Sequence, residues 1–255
     1  MTDIQSQHDP RKIPIDKVGV KNLSYPITVL DKANGFQHTV GSINMYVNLP
    51  HRFRGTHMSR FVEILNEHHR ELHIDRIGEV LQQMKTKLHA EEAHMEVTFP
   101  YFMEKSAPVT RAKSLLEYRC TYQVTLREKE DFILGIEVPV TTLCPCSKEL
   151  SERGAHNQRS LVRIQIRYHG FIWIEELIEL AESSASSPLY ALLKRKDEKA
   201  VTEQAYDNPM FVEDVVREVA KKLDIDPRIS WYHVQSENME SIHNHSAYAS
   251  IERFK

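Results

Sequence analysis

The stretch Thr141 to Ser160, TTLCPCSKELSERGAHNQRS, decides how the rest of the chain is read. Two of the three cysteines, Cys144 and Cys146, flank a single proline there, and His156 follows a Gly-Ala pair. Strand-like sequence stands on both sides. Asp131 to Thr141 is apolar and β-branched, and Leu161 to Tyr168 alternates Val162, Ile164 and Ile166. A long loop between two strands that brings thiols and an imidazole together is what a metal centre or a nucleophilic site requires. Two buried, inert thiols are the competing reading. A disulfide within Cys-Pro-Cys would be strained, which disfavours a redox role.

Upstream of that loop, Leu23 to Leu30 and Phe36 to Leu49 read as strands joined by the turn Asp31 to Gly35. Phe61, Ile64, Leu65 and Leu72 form the apolar stripe of a first helix. A second helix carries Ile77, Val80, Leu81, Met84 and Leu88, with Asp75 as its expected N-cap. His94 to Tyr101 and Ser114 to Leu126 are the next two strands, which gives the order β-β-α-α-β-β. Downstream the order repeats. After the two strands around the cysteine loop come helical segments at Ile174 to Glu182, a short one near Leu189 to Leu193, and Phe211 to Leu223. Ile229 to Gln235 and Ala247 to Phe254 close the chain as strands.

The fold class is therefore α+β, with antiparallel sheets covered by helices on one face. The expected organisation is a flexible arm over residues 1–20, one unit over 21–128 and a second over 129–255. Sheet edges of this kind need protection, and closing a barrel with other subunits supplies it.

With 41% hydrophobic and 27% charged residues in 255, the sequence is that of a soluble globular protein. A formal charge of -3 gives no general attraction to nucleic acid or to an anionic membrane. The polar N-terminus shows no signal peptide, no run approaches the roughly 20 apolar residues of a membrane span, and three cysteines make no disulfide framework. The expectation from these features is a soluble cytoplasmic protein.

Other segments offer partners to the loop. Asp197 and Glu198, in KRKDEK, are candidate metal ligands at the start of a loop running to Asn208-Pro209, or part of a solvated charge run. Glu213 is either functional or a first-turn complement to its helix dipole. His243 and His245, in a turn between the last two strands, are candidate ligands or proton carriers, or plain surface residues. Arg52, Arg54, His57, Ser59 and Arg60 form a basic set at a helix start that suits a phosphate, with a solvated loop as the alternative.

The run Cys144 to Arg159, CPCSKELSERGAHNQR, resembles the signature of the prokaryotic type IB GTP cyclohydrolase I family. GTHMSRF at Gly55 to Phe61, NPMFVEDVVR and ENMESIHNHSAYA extend the resemblance over nearly the whole chain. It implies two tandem tunnelling-fold units, β-β-α-α-β-β each, assembled into a homotetramer. The implied reaction is GTP plus water to 7,8-dihydroneopterin triphosphate and formate, the entry to folate synthesis, whose product queuosine-type tRNA modification also uses. By motif position the metal ligands are Cys144, His156 and Glu198, and Glu213 is the carboxylate that holds guanine. Repeated proton transfers fall to His243, with Cys146 as a second thiol and His245 as an alternative. His57, Ser59, Arg60, Lys148 and Arg159 are implied for the triphosphate. One thiolate, one imidazole and one carboxylate suit zinc first, then manganese or ferrous iron, with no organic cofactor. A nitrile reductase of the same fold and a non-catalytic metal-binding protein are the competing functions.

Overall fold

The computed structural model describes residue 5, residues 7–67 and residues 76–255. Two expectations, Leu72 in the first helical stripe and Asp75 as a cap, lie outside the described residues. The chain forms two compact units, Met1–Pro100 with Thr121–Leu134, and Tyr101–Cys120 with Gly135–Lys255. The strands β3 (Ala93–Ser106), β4 (Lys113–Leu126) and β5 (Glu130–Leu143) each contribute residues to both.

In the first unit, β1 (Ile15–Asp31) and β2 (Gly35–Leu49) form an antiparallel hairpin. β2 pairs in turn with β3, Met45 opposite Met95 and Ile43 opposite Val97. The hairpin turns where expected. Asp31 accepts the backbone N–H groups of Ala33 and Asn34 at 2.9 and 2.7 Å, and Gly35 takes a φ of +82° that other residues disfavour. β1 begins at Ile15, earlier than the alternation in the sequence suggests, because its first residues pair with β2 while staying largely exposed.

The period-two pattern of β2 buries Ile43, Met45, Val47 and Leu49. α1 (Met58–Glu67) packs against β1 and α2 (Ile77–Leu88), burying Phe61, Ile64 and Leu65, and α2 packs against β2, burying Val80, Leu81 and Met84. Each such side chain stabilises the unit by roughly 1.5–3 kcal/mol. The backbone N–H groups of Arg54 and Gly55 donate to the carbonyls of Gln7 and Gln5 at 2.9 and 3.1 Å, which ties the start of the chain to the approach to α1.

The second unit contains β6 (Asn157–Tyr168), β8 (Ile229–Met239) and β9 (Ser246–Phe254), antiparallel in that order, and the two-residue β7 (Ser187–Pro188) on β5. Its helices among the described residues are α3 (Pro145–Leu150), α4 (Ile174–Glu182), α5 (Arg195–Asp207) and α6 (Val212–Ile225). α6 lies against β8 and β9 and buries Val212, Val215, Val216, Val219 and Leu223, the face its spacing implies.

Two expectations fail here. No helix forms at 189–193, where the backbone carbonyl of Leu189 instead accepts the buried Lys105 ammonium at 2.7 Å. The segment expected as a loop is α5, which lacks an apolar stripe because only Asp197 and Ala205 are buried. What starts it is local chemistry. In α4, α5 and α6 alike, a carboxylate three residues in accepts the N–H of the residue before the helix: Glu176 from Trp173, Asp197 from Lys194 and Asp214 from Phe211. No helix among the described residues is long and apolar enough to cross a membrane.

Candidate active site

The inner faces of β5, β6 and β8 change character toward one end. Val162, Ile164 and Ile166 on β6 and Tyr232 and Val234 on β8 are apolar and buried. Then come Thr142, Ser160, Ser236 and Asn238, also buried, with Ser160 opposite Asn238 in register. Thr142 and Ser160 satisfy each other across β5 and β6, oxygen to oxygen at 2.8 Å. The cysteine loop leaves the sheet from this polar end.

Cys144 directly precedes α3, whose first residue is Pro145, a position where the missing N–H costs nothing. The Cys144 sulfur accepts the Ser147 N–H at 3.4 Å. The loop then returns to its own start: the Cys144 N–H donates to the His156 carbonyl at 3.1 Å, and the His156 N–H donates to Ser147 Oγ at 3.0 Å. Thiol and imidazole, twelve positions apart in sequence, are thus joined through the backbone. Cys144 and His156 are half-buried, and Cys146 is exposed. All three cysteines are free thiols. Cys120, on β4, is fully buried, and burial, with Glu175 and Glu137 nearby, pushes its thiol far up. It is a core residue.

The turn 240–245 reaches the loop through Ser241, whose Oγ lies 3.2 Å from His156 Nδ1. That contact orients the ring and leaves Nε2 as the nitrogen available to a ligand. His243 and His245 are exposed in the same turn, their rings stacked with centroids 5.1 Å apart.

Of the two acidic candidates on α5, the structure separates one from the other. Asp197 is fully buried, and both its oxygens are taken. Oδ1 accepts the N–H groups of Val109 and Thr110 at 2.9 and 2.8 Å, and Oδ2 accepts Thr110 Oγ1 and the Lys194 N–H at 2.6 and 2.9 Å. Burial opposes its ionisation, but these donors outweigh it and hold the carboxyl well below the usual range. Glu198 is exposed, and among the described residues its carboxylate makes no hydrogen bond or ion pair.

Among the described residues, no three His, Cys, Asp or Glu side chains are grouped so as to hold a metal ion. What the fold joins directly is Cys144, His156 and Ser241. The chemistry of the donors nevertheless fits a divalent ion: a sulfur, a ring nitrogen with its partner nitrogen engaged, and an uncommitted carboxylate.

Glu213 is exposed in the first turn of α6, beside the capping Asp214. The start of this helix is tied to the cysteine loop, since the Met210 N–H donates to the carbonyl of Leu143 at 3.0 Å. Lys148 is already engaged, its ammonium donating to the Tyr206 carbonyl and lying 4.3 Å from the centre of the Tyr206 ring. An open cleft of about 600 Å³ runs along Glu152, Arg153, Thr202 and Tyr206. Arg159 is exposed on β6. His57, Ser59 and Arg60 belong to the first unit. The Arg60 N–H donates to the His57 carbonyl at 3.2 Å, and its guanidinium donates to the Lys87 carbonyl at 3.0 Å.

Sequence reasoning did not single out Ser147 and Ser241, which clip and orient His156. A lone serine in a loop carries no periodic signal.

A family model described as type I GTP cyclohydrolase folE2 matches residues 1–249. The chain belongs to that family. It is 62% identical over 252 residues to the GTP cyclohydrolase FolE2 of Syntrophotalea carbinolica, covering 99% of this chain and 95% of the relative. It is 60% identical over 255 residues to that of Geobacter sulfurreducens, covering 100% and 99%. Among solved structures it resembles uricase from Arthrobacter globiformis, with a TM-score of 0.55 at 7% identity over 94% of this chain and 93% of that one. It also resembles urate oxidase from Bacillus subtilis, at 0.54 and 9%, over 94% and 98%. At these identities the likeness is one of fold, and it places this FolE2-family chain among urate oxidase-type tunnelling folds.

Proposed function

We propose that the protein is a GTP cyclohydrolase I, converting GTP and water to 7,8-dihydroneopterin triphosphate and formate for folate synthesis. Family membership over nearly the whole chain is the observation that carries this reading. Cys144, His156 and Glu198 hold one divalent ion, zinc first, with manganese and ferrous iron as alternatives. When bound, that ion supplies Lewis acidity toward water near neutral pH, which attack at C8 of guanine requires.

The chain's own groups do the rest. Glu213 accepts the parallel N1–H and N2–H donors of guanine through its two oxygens, a charge-assisted pairing that a neutral acceptor would make more weakly. His243 moves protons during ring opening and formate release, with His245 stacked beside it and Cys146 as the second thiol. Arg60, Ser59, His57, Arg159 and Lys148 are the groups for the triphosphate. Two tandem tunnelling-fold units, and a homotetramer in which barrels close, complete the reading. The buried helix faces and open outer strands β1 and β9 support it.

The test is formate release from GTP by metal-stripped protein given zinc, manganese or ferrous iron in turn, with the pterin followed by fluorescence after oxidation. Activity is expected to return with a divalent metal. Cys144→Ala is expected to lose bound metal and turnover together; full metal occupancy in that variant would sink the ligand assignment.

A further inference from the structure

Most helices are fixed in place by an apolar stripe, and α6 is one of them. α5 is not. Its buried residues are Asp197 and Ala205 alone, so polar contacts must locate it. At its C-terminal end the Tyr206 carbonyl receives the Lys148 ammonium from α3. At its N-terminal end the fully buried Asp197 gathers four donors, from Lys194 before the helix and from Val109 and Thr110 in the turn between β3 and β4. The next residue is Glu198, its own N–H bonded to the Lys194 carbonyl at 2.9 Å and its side chain exposed.

We propose that Asp197 is a positioning residue for the metal site: it locks the first turn of α5 to the β3–β4 turn and thereby sets where the Glu198 carboxylate stands. Asparagine has the same shape but replaces one acceptor oxygen with an N–H₂ group that would face donors. The turn would loosen, and Glu198 would spend less time in register with its fellow ligands. The proposal rests on Glu198 being the third ligand, so the experiment separates the two.

Zinc affinity is measured on the full chain by competition with a chromophoric chelator, alongside amide hydrogen exchange at Val109, Thr110 and Lys194. Glu198→Gln is expected to lose most zinc affinity. Asp197→Asn is expected to lose about 10–100-fold, as changes to groups supporting metal ligands do, with faster exchange at the three amides. In the double variant, Asp197→Asn should cost nothing beyond Glu198→Gln alone, because its effect runs through that residue. Wild-type zinc affinity in Asp197→Asn, with Glu198→Gln impaired, would overturn the positioning role only. Wild-type affinity in Glu198→Gln would overturn the ligand reading and the positioning role with it. A further loss in the double variant would show that Asp197 acts by another route and overturn the proposal. Should Asp197→Asn fail to fold, Thr110→Val, which removes one donor, decides the matter: a severalfold loss supports the role, and wild-type affinity overturns it.

Discussion

Helices α5 and α6 begin with the same device and are held by different means. Each opens with an aspartate that accepts the N–H of the residue before the helix, and each carries a glutamate next to that aspartate. In α5 the aspartate is fully buried and reaches across to another turn of the chain. In α6 it is only half-buried and its other contact is local, Arg217 three residues on at 3.3 Å. α6 can afford this because its valine face is buried against β8 and β9. A helix without an apolar face needs a polar anchor, and a helix with one can leave its first turn to water.

Three substitutions would break or sharpen this contrast. The largest effect is expected at Glu213. Glu213→Ala should keep bound metal but weaken GTP binding by roughly 1.5–3 kcal/mol, the usual worth of hydrogen bonding to a charged group. Calorimetry with GTP reads it, and unchanged affinity would contradict the guanine-anchor role. Next is Asp197→Asn, expected to lower the urea midpoint clearly, since it leaves buried donors of Val109 and Thr110 facing an amide. A midpoint equal to wild type would mean that α5 is anchored elsewhere. Asp214→Asn should do least. It keeps an N-capping oxygen and forfeits about 0.3–1 kcal/mol of charge–dipole stabilisation in folding, and GTP affinity should stay at the wild-type value because Asp214 is bonded to Phe211 and Arg217 and is not assigned to the nucleotide. A loss as large as that of Asp197→Asn would erase the distinction between the helices.

The sequence was most readable where burial imposes a period. β2, α4 and α6 stand where alternation or helical spacing put them, because Ile43, Met45 and Val47, or Val212, Val215 and Val219, must face a core. α5 was hidden for the reason that makes it unusual, since RKDEKAVTEQAYD offers no stripe to detect. Its aspartate cap was present in the letters, but nothing in them told a capping Asp197 from an available one. The opposite error arose at 189–193, where Leu189, Leu192 and Leu193 look helical but follow the two-residue strand β7 into an irregular stretch. At the site, Cys144 and His156 were legible from residue type. That they meet depends on Ser147 and on backbone groups, which composition cannot reveal.

The loop from Cys144 to His156 is closed at its neck by two hydrogen bonds before any ligand arrives. Fixing a residue's backbone costs roughly 1–2 kcal/mol in lost conformational freedom. For this loop that entropy is surrendered during folding, not at the moment of capture. A ligand meeting the Cys144 sulfur and the His156 ring therefore has little of the loop left to order, and its affinity can reflect the strength of its own bonds.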